Sequence, residues 1–324
     1  MLNTFENKIA VITGAANGIG AALAHGFARQ GMTVVVADLD AAGAQKTATS
    51  IGSAAIAKSV DVANAESVQA LADFCFSELG QVDLLINNAG VFQGGLSWER
   101  SVDDWDWAFG VNVYGIIHGI RAFVPRMMAQ DTPGHVVNTA SVAAYAAGPM
   151  SAPYVVSKSA ALSVTECLAL DLEMVGSKIG ASVLTPSNFK TGIAQTGHLR
   201  PEALGSDTSE DGKFCVEALQ SILDTGASPE EAFEPVLAGG KSGTFLIATK
   251  CATSSLSIMT LLKDIVSYFV AILEQTLVFT GIVGDGNLLD NSFNVYVIHA
   301  KLRQAFMWIP DTFSCFCQAT SDFS

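Results

Sequence analysis

The sequence is poor in cationic residues. Lys and Arg together number 17 against 31 Asp and Glu, which gives a formal net charge of −14 and a pI near 4.6. Nucleic acids and anionic membrane surfaces are bound through clustered Lys and Arg, and the sequence contains no such cluster. Neither is therefore expected as the main partner.

Long apolar runs are also missing. The two best candidates, Ile265 to Leu273 and Thr276 to Gly284, are separated by Glu274 and Gln275, whereas a transmembrane helix needs roughly 20 apolar residues in succession. The first residues, MLNTFENKIAVITG, show no charged leader followed by an apolar segment and a cleavage site. We expect no membrane span and a cytoplasmic location.

Paired cysteines are absent as well. The six cysteines form no C-x-x-C motif, and the five histidines are equally dispersed, so neither a disulfide framework nor a zinc site is indicated. Free thiols and no bound metal are the expectation. The cysteines are Cys75, Cys167, Cys215, Cys251, Cys315 and Cys317.

What the sequence does contain is an alternation of short apolar runs with longer helical patterns. Runs that are apolar at nearly every position are typical of parallel strands covered by helices on both faces. The pattern predicts a three-layer, doubly wound α/β domain with about seven parallel strands. The predicted strands are Lys8 to Thr13, Thr33 to Asp38, Ala54 to Val60, Val82 to Asn87, His135 to Thr139, Ala181 to Thr185 and Gly243 to Thr249.

Two segments break this rhythm. Residues 187–212 are polar and long for a loop, which favours a functional segment, and we interpret them as a lid. Before the last strand, Ser228 and Pro229 form a helix start signal. After Lys250 the alternation stops, so residues 251–324 are expected to be a C-terminal extension of unknown role.

A glycine-rich loop, TGAANGIG, follows the first strand and leads into a helical pattern. Such a loop can serve packing alone, but between a strand and a helix it lets backbone N–H groups approach a pyrophosphate. Asp38 ends the second strand, where a carboxylate accepts hydrogen bonds from ribose hydroxyls and repels a 2′-phosphate. The alternative is an Asp that only opens a turn, and Asp40 could contribute. The pattern favours NAD over NADP.

Tyr154 and Lys158 are one helical turn apart in the stretch YVVSK. On a helix, side chains four residues apart lie on one face and can reach one ligand. A buried Tyr beside a solvated Lys is the alternative, and the spacing alone does not decide between them.

Four motifs in order resemble the short-chain dehydrogenase/reductase family, whose members have a single Rossmann-type domain. TGAANGIG resembles the family's TGxxxGxG loop, the stretch after the fourth strand its NNAG, and YVVSK its YxxxK. Asp61 and Val62 match its Asp-Val pair, Ser141 precedes Tyr154 by 13 residues, and Asn112 lies in NVYG. The resemblance covers residues 6 to about 250 and implies one domain over residues 1–250.

The resemblance also implies a role for each matched residue. Tyr154 would be the general base in alcohol oxidation and the general acid in carbonyl reduction, Lys158 would lower the pKa of Tyr154, and Ser141 would hold the reacting oxygen. Asn112 would hold a water that relays the proton. The implied cofactor-binding residues are Gly14, Ala16, Asn17, Gly18, Ile19, Gly20, Asp38, Leu39, Asp61, Val62, Asn88, Ala89, Gly90, Tyr154, Lys158, Pro186 and Thr191.

The sequence departs from the family pattern after the sixth strand, where Ser187 replaces the usual glycine. The substrate side is expected to be apolar, which indicates an apolar or aromatic secondary alcohol or the matching ketone. Lys190 and Arg200 are the lid cations that could instead bind an anion. The residues expected there are Val91, Phe92, Val142, Ala143, Tyr145, Met150 and Phe189.

Two other functions stay open at this point. One is a cofactor-binding sensor or scaffold without turnover, which the complete set of matched catalytic residues disfavours. The other is a reductase of 3-oxoacyl thioesters, which would need a basic patch for the carrier's phosphates. The resemblance further implies a homodimer or homotetramer, and the apolar residues of the Tyr154 helix fit such a contact, although core packing explains them equally well.

Overall fold

The structure, a computed structural model, describes residue 2 and residues 4–249. These residues belong to one compact unit that the chain forms over Met1–Thr253. The expected extension, residues 251–324, lies outside the described residues.

Seven parallel strands form one sheet in the order β3-β2-β1-β4-β5-β6-β7. The sheet confirms the predicted doubly wound α/β fold, and the strand boundaries differ from the predicted ones by at most three residues. The strands are β1 (Ile9–Thr13), β2 (Thr33–Asp38), β3 (Ala55–Ser59), β4 (Leu84–Asn87), β5 (Gly134–Thr139), β6 (Ile179–Thr185) and β7 (Leu246–Ala248).

Helices cover both faces of this sheet. The short turns are 3₁₀ helices at Val142–Ala144, Ile193–Leu199, Glu202–Leu204 and Pro229–Ala232, and π-helical turns at Cys75–Leu79 and Gly110–Tyr114. The α-helices are α1 (Gly18–Arg29), α2 (Ala41–Ile51), α3 (Ala65–Phe74), α4 (Val102–Phe109), α5 (Gly115–Ala129), α6 (Ala152–Met174), α7 (Glu210–Asp224) and α8 (Phe233–Ser242).

The core consists of one apolar layer on each face of the sheet. On one face α1 and α8 pack through three rings, with centroids 5.6 Å apart for Phe5 and Phe27 and 5.3 Å apart for Phe27 and Phe233. On the other face α3, α5 and α6 cover the sheet through residues such as Phe123 and Leu172. Because both faces are buried, the strands read as continuous apolar runs.

The strand order places the functional site. The chain winds outward in one direction from β1 to β3 and in the other direction from β4 to β7, so the order reverses between β1 and β4. In open α/β sheets the ligand crevice lies at the carboxyl ends of the strands at such a reversal. None of the described helices combines the length and hydropathy needed to cross a bilayer.

Candidate active site

A cavity of about 1070 Å³ opens at the carboxyl ends of β1 and β4. It is lined by every residue that the sequence assigned to the cofactor or the chemistry, except Ala16 and Asn112. Residues from the expected lid, from Ser187 to Leu199, close one side of it. The elements therefore bring the sequence-predicted residues to one place.

At Gly14 and Gly20 the backbone of the glycine loop leaves no room for a side chain. Gly14 has φ +64°, and a Cβ there would lie 2.7 Å from Cα of Ala89. A Cβ on Gly20 would lie 2.2 Å from the carbonyl oxygen of Gly14. Asn17 stands at the start of α1 but its side chain makes no capping hydrogen bond, so the first N–H groups of α1 face the cavity without a side-chain cap. This cradle fits a pyrophosphate.

Asp38 is held in place at the end of β2. Its Oδ2 accepts the Ala16 N–H at 2.8 Å and its Oδ1 accepts the Asp40 N–H at 2.9 Å. Ala16 thus orients the carboxylate instead of lining the cavity. Asp38, Asp40 and Asp61 make this end of the cavity acidic. Among the described lining residues, the Lys and Arg side chains are two lysines, Lys158 and Lys190.

Two threonines that the sequence reading missed brace the floor of the site. The hydroxyl of Thr13 accepts the N–H groups of Asn88 at 3.0 Å and Ala89 at 3.2 Å, and the Asn88 side chain donates to the Thr13 carbonyl. The Thr139 hydroxyl contacts Asn88 Oδ1 at 3.4 Å. These bonds join β1, β4 and β5 directly beneath the cavity.

Tyr154 and Lys158 lie on the first turns of α6, which begins with Pro153 in its first turn. The Tyr154 side chain is half-buried, and burial raises its pKa, while a hydrogen bond from Ser141 acts in the opposite direction. Lys158 is buried, donates to the Thr139 carbonyl at 3.1 Å, and has its pKa lowered by burial to about 8. Its Nζ lies 5.8 Å from the centre of the Tyr154 ring.

The pKa of Tyr154 is raised overall, which is the opposite of the lowering expected from Lys158. Burial costs the phenolate its hydration and outweighs the Ser141 hydrogen bond. The surroundings of Tyr154 thus favour the phenol over the phenolate, and a positive charge placed nearby would shift this balance towards the phenolate.

Asn112 lies in the π-helical turn between α4 and α5 and is fully buried. Its Oδ1 accepts the Val91 N–H at 2.8 Å, and its Nδ2 donates to the Val91 carbonyl at 3.0 Å and to Ser157 Oγ at 2.9 Å. The amide side chain thus ties the end of β4 to α6. Both Nδ2 hydrogens are donated, so a water in the expected relay would contact the second lone pair of Oδ1 or the Asn112 backbone.

The Ser187 departure leaves the backbone unstrained. The non-glycine residues with positive φ in the described chain are Asn7, Asp131 and Met150, so the position occupied by Ser187 does not require glycine. Thr191 lies across from the glycine loop, with its Cγ2 3.2 Å from where a Cβ of Gly18 would be. That position fits the expected cofactor contact of Thr191.

The expected substrate side is only partly as predicted. Val91, Val142, Ala143 and Phe189 line the main cavity, but Tyr145 and Met150 do not. Phe92 instead lines a smaller neighbouring cavity of about 400 Å³. Its ring packs on Tyr154 with the centroids 5.2 Å apart.

Of the two lid cations, Arg200 is already paired with an acidic side chain of the protein. It forms an ion pair with Asp104 in which the two side chains are 6% and 10% exposed. Lys190 is exposed at the cavity rim. Among the described residues there is no group of three His, Cys, Asp or Glu side chains that could hold a metal, and Cys75, Cys167 and Cys215 are free thiols.

Comparison with known proteins agrees with this geometry. The family model described as short chain dehydrogenase matches residues 8–200. A C alpha-dehydrogenase of Sphingobium sp. is 33% identical over 250 residues, which cover 76% of this chain and 81% of that protein. A 1-deoxy-11-beta-hydroxypentalenate dehydrogenase of Streptomyces exfoliatus is 39% identical over 63% of this chain and 75% of its own.

Among solved structures, a short-chain dehydrogenase/reductase from Burkholderia phymatum in complex with NAD superposes with a TM-score of 0.76. It is 39% identical, and the match covers 79% of this chain and 93% of that one. The resemblance found in the sequence is thereby confirmed. The chain belongs to the short-chain dehydrogenase/reductase family of oxidoreductases, which use a nicotinamide cofactor.

Proposed function

We propose that the protein is an NAD-dependent dehydrogenase that interconverts an apolar or aromatic secondary alcohol and its ketone. One observation carries the proposal. Tyr154, Ser141 and Lys158 line the same cavity as the glycine loop and Asp38, so a dinucleotide held by the loop and a substrate oxygen held by Ser141 would meet beside one phenol.

The proposed mechanism assigns the proton to Tyr154. In oxidation the phenolate oxygen takes the proton of the alcohol, and in reduction the phenol returns it to the carbonyl oxygen. Ser141 orients that oxygen, and the Lys158 ammonium stabilises the phenolate. When bound, the nicotinamide cofactor would supply the hydride chemistry at the carbinol carbon and, in its oxidised form, a positive charge near Tyr154.

NAD is proposed over NADP because of the charge at the ribose end. Asp38 lines the cavity together with Asp40 and Asp61, and a 2′-phosphate would be repelled by these negative charges. Thr191, Pro186 and the residues Asn88 to Gly90 are proposed to contact the nicotinamide half, as the resemblance implies.

An apolar substrate is supported by the surroundings of Tyr154. Val91, Val142, Phe189 and Leu223 line the same cavity as Tyr154, and no arginine is among the described lining residues. Arg200, one of the two cations that could have bound an anion, is engaged by Asp104. We further propose a cytoplasmic homodimer or homotetramer, for which the exposed apolar residues Val156, Leu170 and Met174 of α6 offer a contact face.

The test is absorbance at 340 nm with the purified full-length protein, NAD or NADP, and aliphatic, benzylic and steroid secondary alcohols at mildly alkaline pH. We expect NADH to form with NAD and one class of alcohol. If no alcohol is oxidised while calorimetry still detects NAD binding, the catalytic assignment is wrong and a sensor or scaffold is favoured. A parallel assay with a 3-oxoacyl thioester and NADH or NADPH covers the alternative, and turnover restricted to the thioester would identify a thioester reductase.

A further inference from the structure

The lid is fastened to the body of the domain by a buried ionic cluster, which we call the lid network. It links the segment after β4 and helix α4 to the lid and to the start of α7 through two arginines, three aspartates and one glutamine. Its members are Gln93, Arg100, Asp104, Arg200, Asp207 and Asp211.

Arg200 uses every nitrogen of its guanidinium. Nη2 donates to Asp104 at 2.5 Å, Nη1 donates to the Gln93 side chain, and Nε donates to the Gly205 carbonyl at 2.9 Å. The guanidinium carbon also lies 5.1 Å from the centre of the Trp107 ring. Asp104 and Trp107 are three residues apart on α4 and therefore present one face to Arg200.

Arg100 fastens the far end of the lid in the same way. It donates to Asp207 at 2.6 Å, to Ser209 at 3.1 Å and to both oxygens of Asp211 at 2.9 and 3.0 Å. Gln93 joins the two arginines, since its amide also donates to Asp207 at 3.3 Å. The network is thus continuous from α4 to α7.

The network leads to the reacting groups in two steps. Leu199, His198 and Thr196 line the main cavity and come directly before Arg200 in the chain. The Thr196 hydroxyl accepts the Phe92 N–H at 2.9 Å, and the Phe92 ring packs on Tyr154. Movement of Arg200 would therefore shift both the substrate wall and the ring that contacts the phenol.

We propose that Arg200 is a positioning residue, which holds the lid so that its residues Thr196 to Leu199 form the substrate wall beside Tyr154. This inference rests on the proposed function. Guanidinium is suited to the role because its planar fork donates from three separate nitrogens to three acceptors, whereas the three donors of a lysine ammonium all lie on one nitrogen. Arg200 touches no reacting atom and acts through the lid.

The kinetic test compares Arg200→Met and Arg200→Lys with the wild type, using 1-phenylethanol and NAD. For Arg200→Met we expect the KM for the alcohol to rise about tenfold or more, while the KM for NAD stays within about twofold. Arg200→Lys should fall between the wild type and the Met variant. A folded Met variant with an unchanged alcohol KM, or a lysine variant worse than it, would overturn the proposal.

A control at a more exposed ion pair tests whether the effect is specific to Arg200. Arg126 also forms an ion pair, with Asp73 at 2.6 Å, and it lies outside the cavity. Arg126→Met should leave both KM values unchanged. If it raised the alcohol KM as much as Arg200→Met, the effect would be one of folding and the proposal would fail. Asp104→Asn, which can still accept the Ser101 N–H bond, should reproduce the Arg200→Met phenotype.

Hydrogen exchange of the protein without substrate tests the lid inference independently of enzyme activity. In Arg200→Met the Phe92 amide and residues 193–206 should exchange about tenfold faster than in the wild type, and in Arg126→Met they should not. Unchanged protection in Arg200→Met would refute the inference even if the enzyme is active. If no alcohol is oxidised by the wild type, the proposed function fails, and exchange still supports or refutes the network's role.

Discussion

At the scale of single residues, the site follows from local motifs for some positions and from long-range contacts for others. Gly14, Tyr154 and Lys158 could be found because their spacing along the chain carries the signal. Thr13 could not, since its partner Asn88 lies 75 residues away, and the pairing of Arg200 with Asp104 spans 96 residues. A single sequence holds no signal for such pairs until the fold brings them together.

The proposed proton transfer makes Tyr154→Phe the most direct residue test. The substitution removes only the hydroxyl, so the Phe92 contact and the cavity wall are kept. We expect kcat to fall by about 10²- to 10⁴-fold while the affinity for NAD, measured by calorimetry, stays within about twofold. Activity retained above a few per cent would show, on the scale of that expected loss, that another group carries the proton.

In this proposal Asp38 determines the preference for NAD over NADP. Asp38→Ala should weaken NAD binding about ten- to hundredfold, because a hydrogen bond to a charged group contributes about 1.5–3 kcal/mol, and should weaken NADP binding far less. Asp38→Asn is the matched control, since an amide oxygen can still accept the Ala16 N–H. If both variants kept the wild-type preference, Asp38 would be only a turn residue.

At the scale of elements, the strands could be predicted and the segment after β6 only in part. Burial on both faces gives the central strands a continuous apolar signal, so β2 has the predicted bounds and β1 differs by one residue. The lid was expected to extend to residue 212, but α7 starts at Glu210, capped by Ser209. Ser209 followed by Glu210 and Asp211 is a local helix start signal, which the interpretation of this segment as a loop overlooked.

The contact between α1 and α8 depends on Gly26. A Cβ there would lie 2.0 Å from Cδ2 of Phe233, whose ring fills the space between the helices. Gly26→Ala should therefore lower the free energy of unfolding by about 1–3 kcal/mol, as overpacking does, despite the better helix propensity of alanine. Urea denaturation measures this.

Gly110→Ala serves as the comparison for that experiment. Its Cβ would meet Cβ of Ala63 at 3.6 Å, which is an ordinary contact. We expect it to be neutral or slightly stabilising. Equal destabilisation by both substitutions would mean that glycine is required for some reason other than the Phe233 ring.

At the scale of the whole molecule, the stability of the fold depends on a neutral histidine in the sheet. His135 of β5 is fully buried, with its Nε2 2.7 Å from Ser182 Oγ and its Nδ1 without a hydrogen-bond partner in the described structure. Burial lowers its pKa from 6.5 to about 4. In the unfolded chain the ring titrates near its ordinary value, so between these two pKa values the unfolded state binds more protons than the folded state.

The sign of the effect follows from this difference. The contribution of His135 is fully present above pH 6.5 and is lost as the pH falls towards 4, with a slope approaching 1.4 kcal/mol per pH unit. Across the window the loss is about 3 kcal/mol. His135→Gln places an amide where Nε2 contacts Ser182 and does not titrate, so its stability curve should be flatter over the same window. Urea denaturation of both proteins at several pH values between 7 and 4 measures the difference in slope, and parallel curves would place the acid sensitivity elsewhere.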